Sequence, residues 1–263
     1  MKIVDEEHAV PVTLTAPNDF GYLLIAAEIG RWAGPFPWPS RSRRQALARA
    51  AEWCAELTHR DDVLEAVVFG GALRPPGAGA ALLARAGARP ARHDLVVLIR
   101  TADIDAVGAV RADATFRALG ADIERIARYG YRVGAGNAAR IADVDHGSNH
   151  WFLFNYFHCE DARTVFEVWR YTAGWFQRRT ALPNSTLLRP LPGEPDDYRV
   201  INHASWPRLR DFLPVLLFHP EFRSFVLANF AANGVAAQPI IYRRRGSRDR
   251  LTRRGRRGGG PAR

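Results

Sequence analysis

Along this chain, short apolar runs of strand length alternate with stretches of helical period, and the alternation runs through the same order twice. GYLLIAAEI (21–29) reads as a strand, the Pro- and Trp-rich GPFPWPS as a loop, and the alanine-rich RRQALARAAEWCAEL as a helix. VLEAVVFGGAL (63–73) and HDLVVLIRT (93–101) follow as strands on either side of a Gly/Ala/Pro-rich loop. A second helix is predicted from Asp103 to about Leu119, and YRVGAGNAARI closes the set as a weaker strand. From residue 150 the order returns. HWFLFNYFH (150–158) is so dense in aromatic residues that a strand covered on both faces is expected. Glu160 and Asp161 open a helix with Val165, Trp169, Thr172 and Phe176 on one face. Asn184 to Leu191 is the next strand, GEPDD a turn, and YRVINHASW (198–206) the third strand. Pro207 suits the first turn of a helix with a Phe212, Leu213, Leu216, Leu217 stripe. Pro220 kinks or splits that helix before Phe222, Phe225, Val226 and Phe230 resume it, and AQPIIYR (237–243) is the last strand.

This order predicts an α+β chain of two fused ferredoxin-like βαββαβ units, each an antiparallel sheet with helices on one face. Strands apolar on both faces need a second cover. Packing the two sheets together supplies it within one chain, as an intrachain pseudo-dimeric α+β barrel. The expected division is an N-terminal unit over 1–145, a C-terminal unit over 146–243, and a disordered Arg/Gly-rich tail over 244–263. An edge strand on each sheet would leave room for a homo-oligomer.

The composition adjusts this picture in three places. At 263 residues and 47% hydrophobic the chain has ample material for a core, which excludes a disordered chain or a disulfide-stapled miniprotein. The net charge of +10 is confined to one end: residues 243–263 carry ten arginines against Asp249, and 27 basic face 26 acidic residues before them. The body is therefore close to neutral; the tail suits weak, salt-dependent contact with polyanions, and no specific nucleic-acid site is expected. Cys54 and Cys159 lack metal or CxxC spacing and read as two buried thiols in a reducing compartment. With no long apolar span and an acidic start, Asp5, Glu6 and Glu7, the expected location is the cytoplasm, with no membrane partner.

The succession FLFNYF, a helix ending AGWF, NSTLLRPL, YRVINHASW and HPEFRSFVLANF resembles the antibiotic-biosynthesis monooxygenase superfamily over roughly 150–243. Over 20–142 the likeness rests on element order. A chain of two units looks more like the oxygenases that open rings of angucycline-type aromatic polyketides than like the short anthrone oxygenases. The resemblance implies O2 as oxidant, an aromatic polyketide as substrate, and reduced flavin (FADH2 or FMNH2) supplied by a separate reductase, or no cofactor. The anthrone oxygenases use an Asn-x-x-x-Trp pair on this strand, which Asn202 and Trp206 match. Their tyrosine falls on Phe212, and their arginine falls near Val226, with Arg223 the nearest candidate.

The residues suggest a chemistry of their own. Asn202 and Trp206, four apart on a strand, leave one face with Tyr198, Val200 and Ala204, and their N–H groups suit a phenolate or peroxy oxygen. An edge amide and a core indole with internal hydrogen bonds is the structural alternative. His203 should face the other way and is the expected base for a phenolic proton, with His158 second; either histidine also fits a satisfied core role. Tyr156, Phe154, Tyr198, Phe212, Arg223 and Trp175 are the expected substrate-binding side chains. The Trp32, Phe36, Trp38 loop is a candidate lid. No His/carboxylate cluster has ligand spacing, so no metal is expected, while His146, His150 and His219 remain candidates for an axial heme ligand. GxGxxG, GxSxG, HExxH and P-loop patterns lack their required contexts. A non-catalytic barrel that sequesters an aromatic metabolite is the alternative from another class.

Overall fold

The computed structural model describes residues 1–246. In chain order its elements are β1 (Gly21–Glu28), the short pair β2 (Trp32–Ala33) and β3 (Phe36–Pro37), α1 (Arg41–Leu57), β4 (Val63–Leu73), α2 (Ala80–Arg85), β5 (Leu95–Thr101), α3 (Ala106–Ala112), α4 (Ala114–Glu124) and β6 (Tyr129–Ala142). Then come β7 (Trp151–His158), α5 (Ala162–Thr180), β8 (Ser185–Pro190), β9 (Val200–Trp206), α6 (Leu213–Phe218), a π-helical turn (Phe222–Leu227), α7 (Ala228–Ala232) and β10 (Ala236–Arg245). No helix among the described residues is long and apolar enough to cross a membrane.

Local chemistry sets the helix starts. The Ser40 hydroxyl accepts from Arg43 N at 3.1 Å to cap α1, and the Asp161 carboxylate accepts from Arg163 N and Thr164 N at 3.0 and 3.1 Å to cap α5. Pro207 does not open a helix. Behind it lies a 3-10 turn, Leu209–Asp211, where the Asp211 side chain reaches back to Arg208 N at 3.1 Å; α6 starts only at Leu213. At Pro220 the helix is split as expected, with α6 before it and the π-turn after.

Eight strands close into an antiparallel barrel in the order β1-β5-β4-β10-β7-β9-β8-β6. The first half contributes β6-β1-β5-β4 and the second β10-β7-β9-β8, the same fourth-first-third-second order. The seams are β10 on β4, with Tyr242 opposite Gly71, and β8 on β6, with Arg189 opposite Gly136. Closure consumes the free edges that the sequence led us to expect on each sheet, because every edge strand of one half finds its partner in the other. β10 runs to Arg245, two residues into the predicted tail; the remainder of that tail, from 247, lies outside the described residues.

Strand parity sorts the side chains into an interior core and two outer layers. Tyr22, Leu24, Phe69, Val96, Phe152, Phe154, Tyr156, Ile201 and Tyr242 fill the barrel. In the first half, Leu23, Ile25, Val97 and Ile99 pack outward against Leu47, Cys54, Val110, Phe116 and Leu119 of α1, α3 and α4. In the second half, Phe157, Val200 and Ala237 meet Val165, Trp169, Phe225 and Phe230 of the covering helices. Cys54 and Cys159 are both buried free thiols. Between strands and helix of the first half, Arg43 Nε lies 2.7 Å from Asp94 Oδ2, while Asp94 Oδ1 accepts from Ile29 N and Gly30 N at 2.7 and 3.1 Å. Such a pair is a conditional stabiliser: intact it is fully hydrogen-bonded, and loss of either partner strands a buried charge at a cost of about 3–5 kcal/mol.

Candidate active site

The two outer layers differ in the character of their open space. Beside α1 the first half carries open grooves lined partly by charged side chains such as Arg44, Arg49 and Asp122, whereas the second half holds an apolar cavity of about 700 Å³, open solvent at its mouth included. Its floor is the outer face of β7, β9 and β10: Leu153, Asn155, Asn202, Trp206, Pro239 and Ile241. Its roof is Trp169, Thr172, Ala173 and Phe176 of α5 with Phe222, Val226 and Leu227 of the π-turn. Phe212 and Leu216 close one side, and Pro76, Gly77 and Ala78, reaching over from the first half, close the other. Among the described residues, no lining side chain bears a charge or an imidazole. A site of this kind takes an uncharged, flat, apolar ligand and fixes it through few polar contacts.

Those contacts are two amides. Asn155 and Asn202 stand directly opposite each other in the β7–β9 register. The Asn202 Oδ1 is occupied, accepting from the Ser185 hydroxyl at 2.5 Å, which leaves its Nδ2 as the group without a protein partner among the described residues. Across from it, Asn155 Oδ1 is buried and has no hydrogen-bond partner. The orphaned buried acceptor costs about 1–3 kcal/mol unless a ligand uses it, and the Asn202 amide held by Ser185 offers a donor next to it. Asn155 was not singled out in the sequence. Its signal was there: the one amide in HWFLFNYFH, at the parity of Leu153 and Phe157 rather than of the interior Phe154 and Tyr156.

The structure brings together Asn202, Trp206 and Phe212. The two rings stack with centroids 4.5 Å apart, and Trp206 is buried. Its role differs from the expected one. The indole Nε1 donates to Thr180 Oγ1 at 3.1 Å, which in turn donates to Phe176 O at 2.6 Å, so Trp206 offers the cavity a ring face and no free N–H.

The other predicted site residues lie elsewhere. Tyr198 precedes β9, which begins at Val200, so strand parity does not apply to it; its side chain turns into the barrel, with its hydroxyl 3.1 Å from His93 Nε2. Phe154 and Tyr156 point inward too, Phe154 stacking on His203 at 4.0 Å and Tyr156 sharing a 3.1 Å hydrogen bond with Tyr242. Trp175 lies on the flank of α5 away from Phe176's cavity face and donates to Glu221 Oε2 at 2.8 Å. Arg223 is exposed, because the inward positions of the π-turn are Phe222 and Val226. His158 ends β7 with Nδ1 3.1 Å from Asp197 O. His203 faces the interior, as its parity required, and is wholly buried; burial first, and the neighbouring His146 second, push its pKa well below the usual histidine value. Neither histidine reaches the cavity, so neither serves it as a base.

Of the candidate axial ligands, His146 is hydrogen-bonded between Glu65 and His203, His150 Nδ1 lies 3.2 Å from Ser205 Oγ, and His219 packs edge-on against Trp175; none lines the cavity. Phe36 and Trp38 are exposed, Trp32 donates to Arg92 O at 2.9 Å, and none of the three is a cavity wall. Among the described residues the cavity has no cation to pair with a flavin phosphate, so they do not fit a resident flavin nucleotide.

No family profile matches the chain, and no curated protein matches it. Solved structures do. An anthrone oxidase-like protein superposes with a TM-score of 0.59 over 89% of this chain and 96% of its own, at 10% identity. The chain shares its fold. A proposed monooxygenase from Fusobacterium nucleatum subsp. nucleatum superposes at 0.50, covering 86% of this chain and 94% of its own, at 9% identity. Both likenesses concern the backbone arrangement, which is that of ferredoxin-like barrel proteins.

Proposed function

We propose that this protein is an oxygenase acting on an uncharged polycyclic phenol or quinone, of the aromatic polyketide kind, in the sheet–helix cavity of its second half. The observation that carries this reading is the Asn155/Asn202 pair in an otherwise uncharged, aromatic cavity. One ring oxygen would accept from Asn202 Nδ2 while an adjacent hydroxyl donates to Asn155 Oδ1, with the ring plane against Trp206 and Phe212. The fold shared with an anthrone oxidase-like protein supports the reaction class, and the two halves read as a fused pair of which only the second keeps the site.

With no base in the walls, the substrate must supply its own acidity. The acidic proton passes to solvent water at the cavity mouth, Asn202 stabilises the oxyanion left behind, and the electron-rich ring then meets O2 within the apolar cavity. For an anthrone-type methylene, CH2 + O2 → C=O + H2O balances on the substrate's own electrons. Hydroxylation of an aromatic ring or Baeyer–Villiger cleavage needs two more electrons, for which reduced flavin from a separate reductase is the proposed source.

The test is oxygen uptake with uncharged phenolic polycycles, with and without reduced flavin, and with products identified by mass. Uptake coupled to an oxygenated product is expected, and about a hundredfold less of it in a folded Asn202→Ala variant. Tight binding that quenches tryptophan fluorescence without uptake under either condition would instead establish a sequestering barrel.

A further inference from the structure

We propose that residues 2–12 form a releasable latch across the roof of the second-half cavity, and that its seating sets how fast a ligand enters and leaves. The inference rests on the reading of that cavity as a binding site. The roof has two parts, α5 and the π-turn that runs on into α7, and the N-terminal segment lies along their outer side, passing from α7 to α5. On α5 its track is a stripe of residues four apart. Val12 N donates to Arg170 O at 2.9 Å, Arg178 Nη2 donates to His8 O at 2.7 Å, and between them stands Gly174. A Cβ on Gly174 would collide with Val10 O, so the glycine is what lets the backbone of the segment cross the helix. Glycine is otherwise unfavourable in a helix interior.

On the other part of the roof the anchors are two asparagines, again four apart. Asn229 Oδ1 accepts from Val4 N at 3.0 Å while its Nδ2 donates to Val4 O at 2.8 Å; Asn233 does the same for Lys2, at 2.7 and 2.6 Å. Each amide closes a reciprocal pair with one residue's backbone, as a residue of a neighbouring strand would. Ser224 Oγ adds a hydrogen bond to Asp5 Oδ2 at 3.2 Å, and the His8 ring meets Phe225 edge-on with centroids 6.0 Å apart. These ties are mostly polar. None of residues 1–11 is buried, and Val12 is the first side chain to join the core, with Val165 and Trp169. A segment held by surface hydrogen bonds opens far more readily than the core beneath it. The elements it joins carry Thr172, Ala173 and Phe176 on one side of the cavity roof and Phe222, Val226 and Leu227 on the other. With the segment lifted, Glu221, bonded to Trp175 and Arg179, still connects them and serves as the hinge on which the π-turn moves away from α5.

The test compares the full chain with its Asn229→Ala/Asn233→Ala variant, in hydrogen exchange and in stopped-flow binding of a hydroxyanthraquinone read by tryptophan quenching. Release should speed exchange over residues 3–10 and 222–227. Association and dissociation rate constants should rise together by about tenfold, with Kd changing by less than about threefold. That pairing marks a gate, whereas a merely damaged pocket raises dissociation alone and weakens Kd. Unaltered exchange over 3–10, rate constants that stay put once those amides are released, or a rise in dissociation alone would overturn the proposal. Should the double variant fail to fold, Asn233→Ala carries the same decision. If the hydroxyanthraquinone binds neither protein, the binding-site reading falls and exchange over 222–227 decides the latch: faster exchange there supports it, and no change overturns it.

Discussion

Inside the barrel, His93 is sealed from water, its Nε2 3.1 Å from the Tyr198 hydroxyl and its ring 5.8 Å from that of Tyr129. Burial, with a smaller push from the Arg89 charge, lowers its pKa from 6.5 to about 3. Between those two values the unfolded chain binds a proton that the folded chain refuses. Stability is thus fully present above pH 6.5 and drains away as pH falls toward about 3. Replacing His93 with Gln should flatten unfolding free energy against pH in this window by up to about 1.4 kcal/mol per pH unit, as read from urea titrations. An unchanged slope would mean that His93 is protonated in the fold. Single residues also show where sequence reading stops. Asn202 and Trp206 were legible from spacing and resemblance, and parity placed His203 opposite them. That the Trp206 N–H is taken by Thr180, 26 positions away, was not, because the bond depends on how α5 lies over β9.

Helices and strands were legible wherever period alone decides them: β1, β4 and β9 fall within two residues of expectation. Errors entered at ends and at irregular turns. β9 starts two residues after Tyr198, and the π-turn re-phases the last helix so that Arg223 faces solvent. The π-turn itself widens the helix where it roofs the cavity, a common place for such a distortion. Glu221 anchors it. Its carboxylate accepts from Trp175 Nε1 at 2.8 Å and from Arg179 at 3.0 and 2.6 Å, tying the turn to α5; burial would raise its pKa, but these donors outweigh burial and hold it below the usual value. Glu221→Ala strands the buried indole N–H and loosens the roof. The expected loss is about 1–3 kcal/mol of stability by denaturant unfolding, with KM rising more than kcat falls. A variant with unaltered KM would separate this anchor from the cavity.

At the scale of the molecule, the two halves contribute equal strands to one barrel but unequal interiors to their outer layers. The first packs Leu23, Ile25 and Phe116 and opens only grooves with charged walls beside α1; the second encloses the apolar Asn155/Asn202 cavity, to which the first adds Pro76, Gly77 and Ala78. The barrel follows from element order together with strands apolar on both faces. The asymmetry could not be read in advance, because it depends on how completely side chains from seven segments fill one gap. An uncharged polycycle is expected to bind in that gap and not inside the barrel. The most direct measurement is the crystal structure of the protein with a phenolic polycycle such as a hydroxyanthrone. The ring is expected against Trp206 and Phe212, with its oxygens within hydrogen-bond distance of Asn202 Nδ2 and Asn155 Oδ1. A ligand lodged beside His203 and Tyr198 in the barrel, or held away from both amides, would contradict it.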